Sequence, residues 1–249
     1  MLAARTLART STLAWLVGLG LAVAPIAPAH ANQAPVASPA APSGAKTPEQ
    51  LVKDLTSSSA ASYNAAVQGL QAAGAGAVPA LTAALKDSNA DVRGRAAAIL
   101  ASIGPAAKDA LPALGEGLAD ASGTVRLIVA AALGEFGPMA EAAVPGLTKA
   151  LGDSVPTVRQ ASAESLGKIG PAAKSASPAL IAALGDKDEQ LRVKAASALG
   201  LIGATDATSA LDALVQKDTS AAVKSAAQEA LAKLRSAPAA APAAAPHKP

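Results

Sequence analysis

Apolar residues along this chain fall at i, i+7, i+8 and i+11, and this four-position stripe returns every 32 or 33 residues. It reads Val92, Ile99, Leu100 and Ile103, then Val125, Ala132, Leu133 and Phe136, then Val158, Ser165, Leu166 and Ile169. Leu191, Ala198, Leu199 and Ile202 follow, and Val223, Ala230, Leu231 and Leu234 close the series. Such spacing gathers apolar groups on one face of an α-helix and has no counterpart in the alternation of a strand. Tyr63, Val67 and Leu70 are a looser version further upstream. The residue expected to cap each striped helix is, in order, Thr56, Asn89, Ser122, Val155, Asp188 and Ser220. All but Val155 carry a side-chain acceptor suited to that position.

Polar residues keep the same beat. An aspartate precedes a basic residue by six positions at Asp87/Arg93, Asp120/Arg126, Asp153/Arg159, Asp186/Arg192 and Asp218/Lys224. Prolines recur at Pro79, Pro112, Pro145 and Pro178, and Gly-Pro pairs at 104–105, 137–138 and 170–171. The Gly-Pro stop is missing at Gly203-Ala204. A period in this range marks one supersecondary unit stacked in tandem. Each unit reads as two helices: in one, Val78 to Lys86 forms the first, Asp87-Ser88 the turn, and Ala90 to Ile103 the second. Glycine ends it and proline starts the next element. Pro112 falls inside an expected helix from Pro105 to Ala119 and predicts a bend there. Thr47-Pro48-Glu49-Gln50 has the form of a capping box with proline at the first helical position, which starts the folded part.

Proline, aspartate eight residues on, arginine six further, and an Ala-rich stretch ending Leu-Gly-x-Ile-Gly resemble the HEAT repeat. Pro112, Asp120 and Arg126 fit the pattern, as do Pro145, Asp153 and Arg159. Gly-Pro-Ala-Ala-Lys at 104–108 and 170–174 resembles the short bacterial HEAT-like repeats of the phycobilisome-lyase type. The resemblance covers about residues 54–235. It implies an all-α fold: a right-handed α-α superhelix of about six two-helix repeats, in which the Asp and Arg/Lys columns form a ladder between neighbouring units. The pattern departs at the ends. Ala60 stands where the first unit should carry arginine, Leu211 where the last should carry proline, and Lys224 replaces the last arginine. Atypical end units are expected of caps.

Composition bounds the rest. The chain has 249 residues, 51% hydrophobic but only 1% aromatic, so alanine dominates the core and the helices must approach closely. There is no cysteine, which removes disulfides and thiolate chemistry. Residues 1–31 read as a secretory signal, with Arg5 and Arg9, an apolar run from Leu13 to Ala24 and a cleavage site at Ala29-His30-Ala31. That run is too short to span a bilayer. An Ala/Pro-rich linker (32–46), the repeat domain (47–235) and a disordered Ala/Pro-rich tail (236–249) should follow. Loss of Arg5 and Arg9 leaves 19 Lys+Arg against 18 Asp+Glu, and no basic stripe with interleaved aromatics. Nucleic acid is therefore not an expected partner.

Both histidines, His30 and His247, lie outside the repeats, so Ser-His-Asp, Cys-His and His-Glu iron chemistry are excluded from them. Asp186-Lys187-Asp188-Glu189 is the sharpest acidic cluster. It lacks the glycine and spaced ligands of a calcium loop and reads as a turn aspartate plus a helix cap. Gly74-x-Gly76 follows no strand and is not a nucleotide loop.

What remains is surface. The second helices should line a concave wall bearing Arg95, Leu127, Ile128, Glu135, Gln160, Glu164, Lys168, Val193, Lys194 and Leu201. Six such helices about 21 Å long give a wall on the order of 1,000 Å², about one partner's share of a standard interface. Leu127, Ile128, Val193 and Leu201 either form a docking site there or pack between units. The sequence thus predicts an exported, monomeric, non-catalytic scaffold without cofactor or metal. It binds a protein or peptide along that wall by shape and charge, with no membrane span after signal cleavage. The alternatives are a lyase-like enzyme or accessory subunit, and a structural component of the cell envelope.

Overall fold

Thr47 opens the first helix as its capping box predicts. Its Oγ1 accepts from the Gln50 N–H, and Gln50 Oε1 accepts from the Thr47 N–H at 2.9 Å. The computed structural model describes residues 46–236. The expected signal, the linker except Lys46 and the tail except Ser236 lie outside the described residues.

Six helical hairpins follow one another from Thr47. They are α1 (Pro48–Asp54) with α2 (Ala60–Ala73), α3 (Val78–Ala84) with α4 (Ala90–Ile103), and α5 (Leu111–Glu116) with α6 (Gly123–Glu135). Then come α7 (Val144–Ala150) with α8 (Pro156–Ile169), α9 (Ser177–Ala183) with α10 (Glu189–Leu201), and α11 (Thr208–Lys217) with α12 (Ala221–Ser236). Each second helix packs on the second helix before it, so the chain is an all-α superhelix of the HEAT-like kind. The predicted stripes face inward: of the twenty residues named in the five regular stripes, Ile103 is the one that stays half-buried.

Three local expectations need correction. Thr56 is not a cap; α2 is capped by Ser59, whose Oγ accepts from the Ser62 N–H. The backbone at 56 still turns back onto α1, with the Thr56 N–H and Oγ1 both bonded to Lys53 O, and so lacks the extended geometry of a cap. Pro112 does not bend a long helix. Gly104–Ala110 is a 3-10 segment, and α5 starts afresh at Leu111 with the proline in its first turn. Pro79, Pro145 and Pro178 hold the same place, where a missing N–H leaves no helical bond unmade.

The third correction concerns the last hairpin. Leu81, Leu114, Leu147, Leu180 and Leu211 are all fully buried and form one column. Leu211 therefore continues the leucine column, and Ser209 stands where proline is missing. The shift arises because the last 3-10 segment, Thr205–Ala207, has 3 residues where Gly170–Ala176 has 7. Gly203 still ends α10 in the left-handed region at φ 70°, as Gly104 ends α4, so the stop survives without its proline.

Close approach, expected from the alanine content, is visible where glycine meets the next second helix. A Cβ on Gly134 would lie 2.5 Å from Ser165 Oγ, and one on Gly200 2.8 Å from the backbone of Ala230. Ser165 is buried in its stripe because its Oγ donates to Ala130 O at 2.7 Å, across two helices.

Candidate functional site

The arginines of the repeat join neighbouring hairpins, as the resemblance implied. Arg93 donates from Nε to Asp120 Oδ2 at 2.6 Å and from Nη2 to Oδ1 at 2.8 Å. Arg126 grips Asp153 in the same way at 2.7 and 2.8 Å, and Arg192 grips Asp218 at 2.7 and 3.2 Å. Each also donates from Nη1 to the carbonyl of its own hairpin's aspartate, Asp87, Asp120 or Asp186. The aspartate's Oδ1 in turn accepts the N–H two residues on, at the helix cap. One guanidinium thus satisfies a turn and a neighbour together, a task suited to its planar fork. These bonds hold the carboxyls of Asp120, Asp153 and Asp218 below the usual range, the arginine hydrogen bond being the largest cause in each. Two members of the expected ladder stand outside the rungs. Asp87 meets no arginine from the hairpin before it: α2 runs from its Ser59 cap to Gly74 as α4 runs from Asn89 to Gly104, which puts Tyr63, and not Ala60, in the place of Arg93. Lys224 lies on the last helix of the described residues.

The second-helix wall is more self-contained than its residue types suggest. Lys168, on α8, bonds Glu135 of α6 at 2.8 Å and Glu164 of its own helix at 3.0 Å. Lys194 of α10 bonds Glu164 from the other side at 2.5 Å. The four form an alternating chain across three helices. Burial raises the Glu164 carboxyl, but the Lys194 and Lys168 ammoniums outweigh it and bring it to about 2. Burial likewise opposes the Lys168 charge, and its two carboxylate partners hold it above its ordinary value.

Arg95 is engaged too. Its Nη1 donates to Leu55 O and its guanidinium lies 4.8 Å from the Tyr63 ring centre, which ties α4 to the first hairpin. Gln160 donates to Asp188 Oδ2 at 2.5 Å. Ile128 packs between units, its Cδ1 resting 2.9 Å from where a Gly94 Cβ would stand. Leu127 and Val193 are half-buried, and Leu201 is 45% exposed at the end of α10. Of the ten wall positions, Leu127, Ile128, Val193 and Leu201 keep part of their apolar surface open, although Leu201 Cδ1, like that of Ile128, also rests against a glycine of the second helix before it. Lys168 and Lys194 are thus matched by carboxylates within the chain.

The acidic cluster resolves into separate tasks. Asp186 belongs to a rung, Asp188 caps α10 through the Gln190 N–H, and Glu189 accepts from Ser220 Oγ. Two features were not anticipated. Ser177, buried at the start of α9, donates to both oxygens of Asp206, and Gln71 donates to Ser102. Serine in a column otherwise filled by Val78, Leu111 and Val144 was the signal for the first. A surface groove of about 250 Å³ between α5 and α7 is lined by Leu111, Pro112, Leu118 and small residues, with no polar side chain converging on it.

Solved structures share this architecture. One engineered protein matches at 25% identity over 76% of this chain and 96% of its own, with a TM-score of 0.59. A second matches at 22% over 77% and 100%, with a TM-score of 0.60. The complex of CpcE and CpcF of phycocyanin lyase from Nostoc sp. PCC7120 matches at 23% over 62% and 97%, with a TM-score of 0.50. At such identities the last two show the fold alone. No curated protein matches this sequence. The family model described as HEAT repeats matches residues 48–134, 111–177 and 177–245, and the chain belongs to the HEAT repeat family.

Proposed function

We propose that this HEAT solenoid is an exported, non-catalytic scaffold that holds a protein or peptide partner on its second-helix wall. The observation that carries this reading is the state of the wall itself. Its lysines and glutamates neutralise one another, while Leu127 on α6 and Val193 and Leu201 on α10 keep surface open. Contact there is apolar and fitted by shape, over a backing of bound charge. The repeats also carry no histidine or cysteine to act as nucleophile, base or soft metal ligand. Export rests on the basic start, apolar run and small-residue site of residues 1–31.

The test is capture by the full chain from the exported fraction of its own cells, with identification of the bound protein. Leu201→Glu should reduce capture at least about tenfold, while Lys149→Glu on the opposite, first-helix side should leave it unchanged. Capture should change little between low and physiological salt, since no free charge drives it. Equal capture by both variants removes the wall from the account. Retention of an intact signal on a chain recovered from the cytoplasm removes export.

A further inference from the structure

The four rungs are not alike. In three of them the arginine holds both carboxylate oxygens, and the aspartate side chain is 6–11% exposed. In the rung between the fourth and fifth hairpins, only Arg159 Nη2 reaches Asp186, at 3.3 Å, and Asp186 is 24% exposed. Arg159 Nε is buried there without a hydrogen-bond partner. Such an orphan donor is costly and calls for a local reason.

This joint also differs from the others in its helix cap. The caps facing the other three rungs are Ser122, Val155 and Ser220, none of them charged. At this joint the cap is Asp188, whose charge also interacts with Arg159. Gln160 holds it there at 2.5 Å, in a position filled elsewhere by Gly94, Leu127 and Val193, which cannot make such a bond. Arg159 thus reaches one oxygen of Asp186 beside a cap that carries a charge the other three caps lack. Asp186 meanwhile keeps its Oδ1 on the Asp188 N–H at 2.8 Å.

We infer that the joint between the fourth and fifth hairpins is the flexing point of the solenoid, built from Arg159, Gln160, Asp186 and Asp188. The rung has a second arrangement within reach, in which Asp186 turns fully into the Arg159 fork and satisfies Nε. Exchange between the two rocks α9 and α10 against α7 and α8. Wall residues lie on both sides, Gln160 and Glu164 on one and Val193 and Leu201 on the other, so the rocking changes the width of the wall between its last two helices, α8 and α10. The inference stands on the rung geometry and is independent of what the wall binds.

The chain has no native cysteine, so spin labels report cleanly. Ala83, Glu116, Lys149 and Ala182 occupy equivalent exposed places on successive first helices. The pair Ala83→Cys/Lys149→Cys spans two closed rungs, and Glu116→Cys/Ala182→Cys spans one closed and one splayed rung. The second pair should give a distance distribution about twice as wide, and adding Gln160→Leu with Asp188→Ser should narrow it to the width of the first. A second reading needs no variant. The amide of Asp188 should be protected from hydrogen exchange about tenfold less than those of Ser122 and Val155, and should resemble that of Asn89, whose Asp87 carboxylate takes no arginine from the hairpin before it. Equal widths for the two label pairs, or protection of Asp188 equal to that of Ser122 and Val155, overturns the inference.

Discussion

Arg126 pairs with Asp153 of the next hairpin, Nε to Oδ2 at 2.7 Å, while its Nη1 bonds the carbonyl of Asp120 in its own turn at 2.8 Å. The side chain is thus a strut between hairpins and a brace within one. Arg126→Ala removes both and leaves Asp153, a side chain only 11% exposed, without its partner. The expected loss is about 3 kcal/mol, read from the urea midpoint. Arg126→Lys should recover about half, because a single ammonium cannot span two carboxylate oxygens and a turn carbonyl. A loss below about 0.5 kcal/mol for the alanine variant would class the rung with ordinary surface pairs.

Tyr63 stands four residues past the Ser59 cap, as Arg93 stands four past Asn89, so the first hairpin offers Asp87 a ring where the repeat would place arginine. Tyr63→Arg should add a fifth rung and stabilise the chain by about 1 kcal/mol, less what Arg95 loses with the ring. The same change combined with Asp87→Asn should give less than half of that gain in thermal melting. Equal gains in both backgrounds would show that the new arginine acts elsewhere.

Gly134 and Gly115 make opposite demands. A Cβ at Gly134 meets Ser165 Oγ at 2.5 Å and the Ser165 backbone at 3.0 Å, so Gly134→Ala must part α6 from α8. The expected cost is about 2 kcal/mol. Gly115 lies inside α5 with nothing within 4 Å of the added atom. Gly115→Ala should stabilise by about 0.5 kcal/mol through helix propensity alone.

The alignment of the last hairpin is open to a direct check. Ser209→Pro restores the proline column in the first turn of α11 and should be neutral or stabilising by about 0.5 kcal/mol. Leu211→Pro destroys a fully buried leucine and should unfold the hairpin, seen as loss of helical circular dichroism. The reverse order of the two would restore the 33-residue spacing from Pro178.

Acid should reach the ladder late. The arginine hydrogen bonds lower the folded values of Asp120, Asp153 and Asp218, and Glu164 falls from 4.5 to about 2. Groups depressed by folding contribute fully above their unfolded values and lose that contribution as pH falls through the folded ones. The melting temperature should therefore hold from about pH 7 to 5 and fall between about pH 4 and 2. Glu164→Gln should make part of that fall disappear. Lys168 has the opposite sign: raised by its carboxylates against the cost of burial, it gives way only above pH 10.5.

Much of the fold was legible because the unit repeats. A stripe such as Val158, Ser165, Leu166, Ile169 has one satisfactory arrangement, a helix with that face buried, and copying it fixes the stack. The caps Asn89 and Ser122 were equally legible, since their bonds reach only two or three residues along the chain. Thr56 and Leu211 misled where the repeat changes length at its ends, because a fixed period carries no information about a short 3-10 segment. The wall was the least legible part. Lys168 looked free because Glu135, thirty-three residues earlier, is one repeat away and on another helix.

By itself, then, the sequence determined the striped second helices, the number of hairpins and the absence of histidine and cysteine chemistry from the repeats. These follow from local bonding and from a hydrophobic period. Only the tertiary structure decided which aspartate each arginine takes, which wall charges are spent on one another, and that the Arg159 rung is held through one bond where the other three have two. Those outcomes depend on distances between hairpins of under about 3 Å, and no one-dimensional spacing encodes how closely two helices settle.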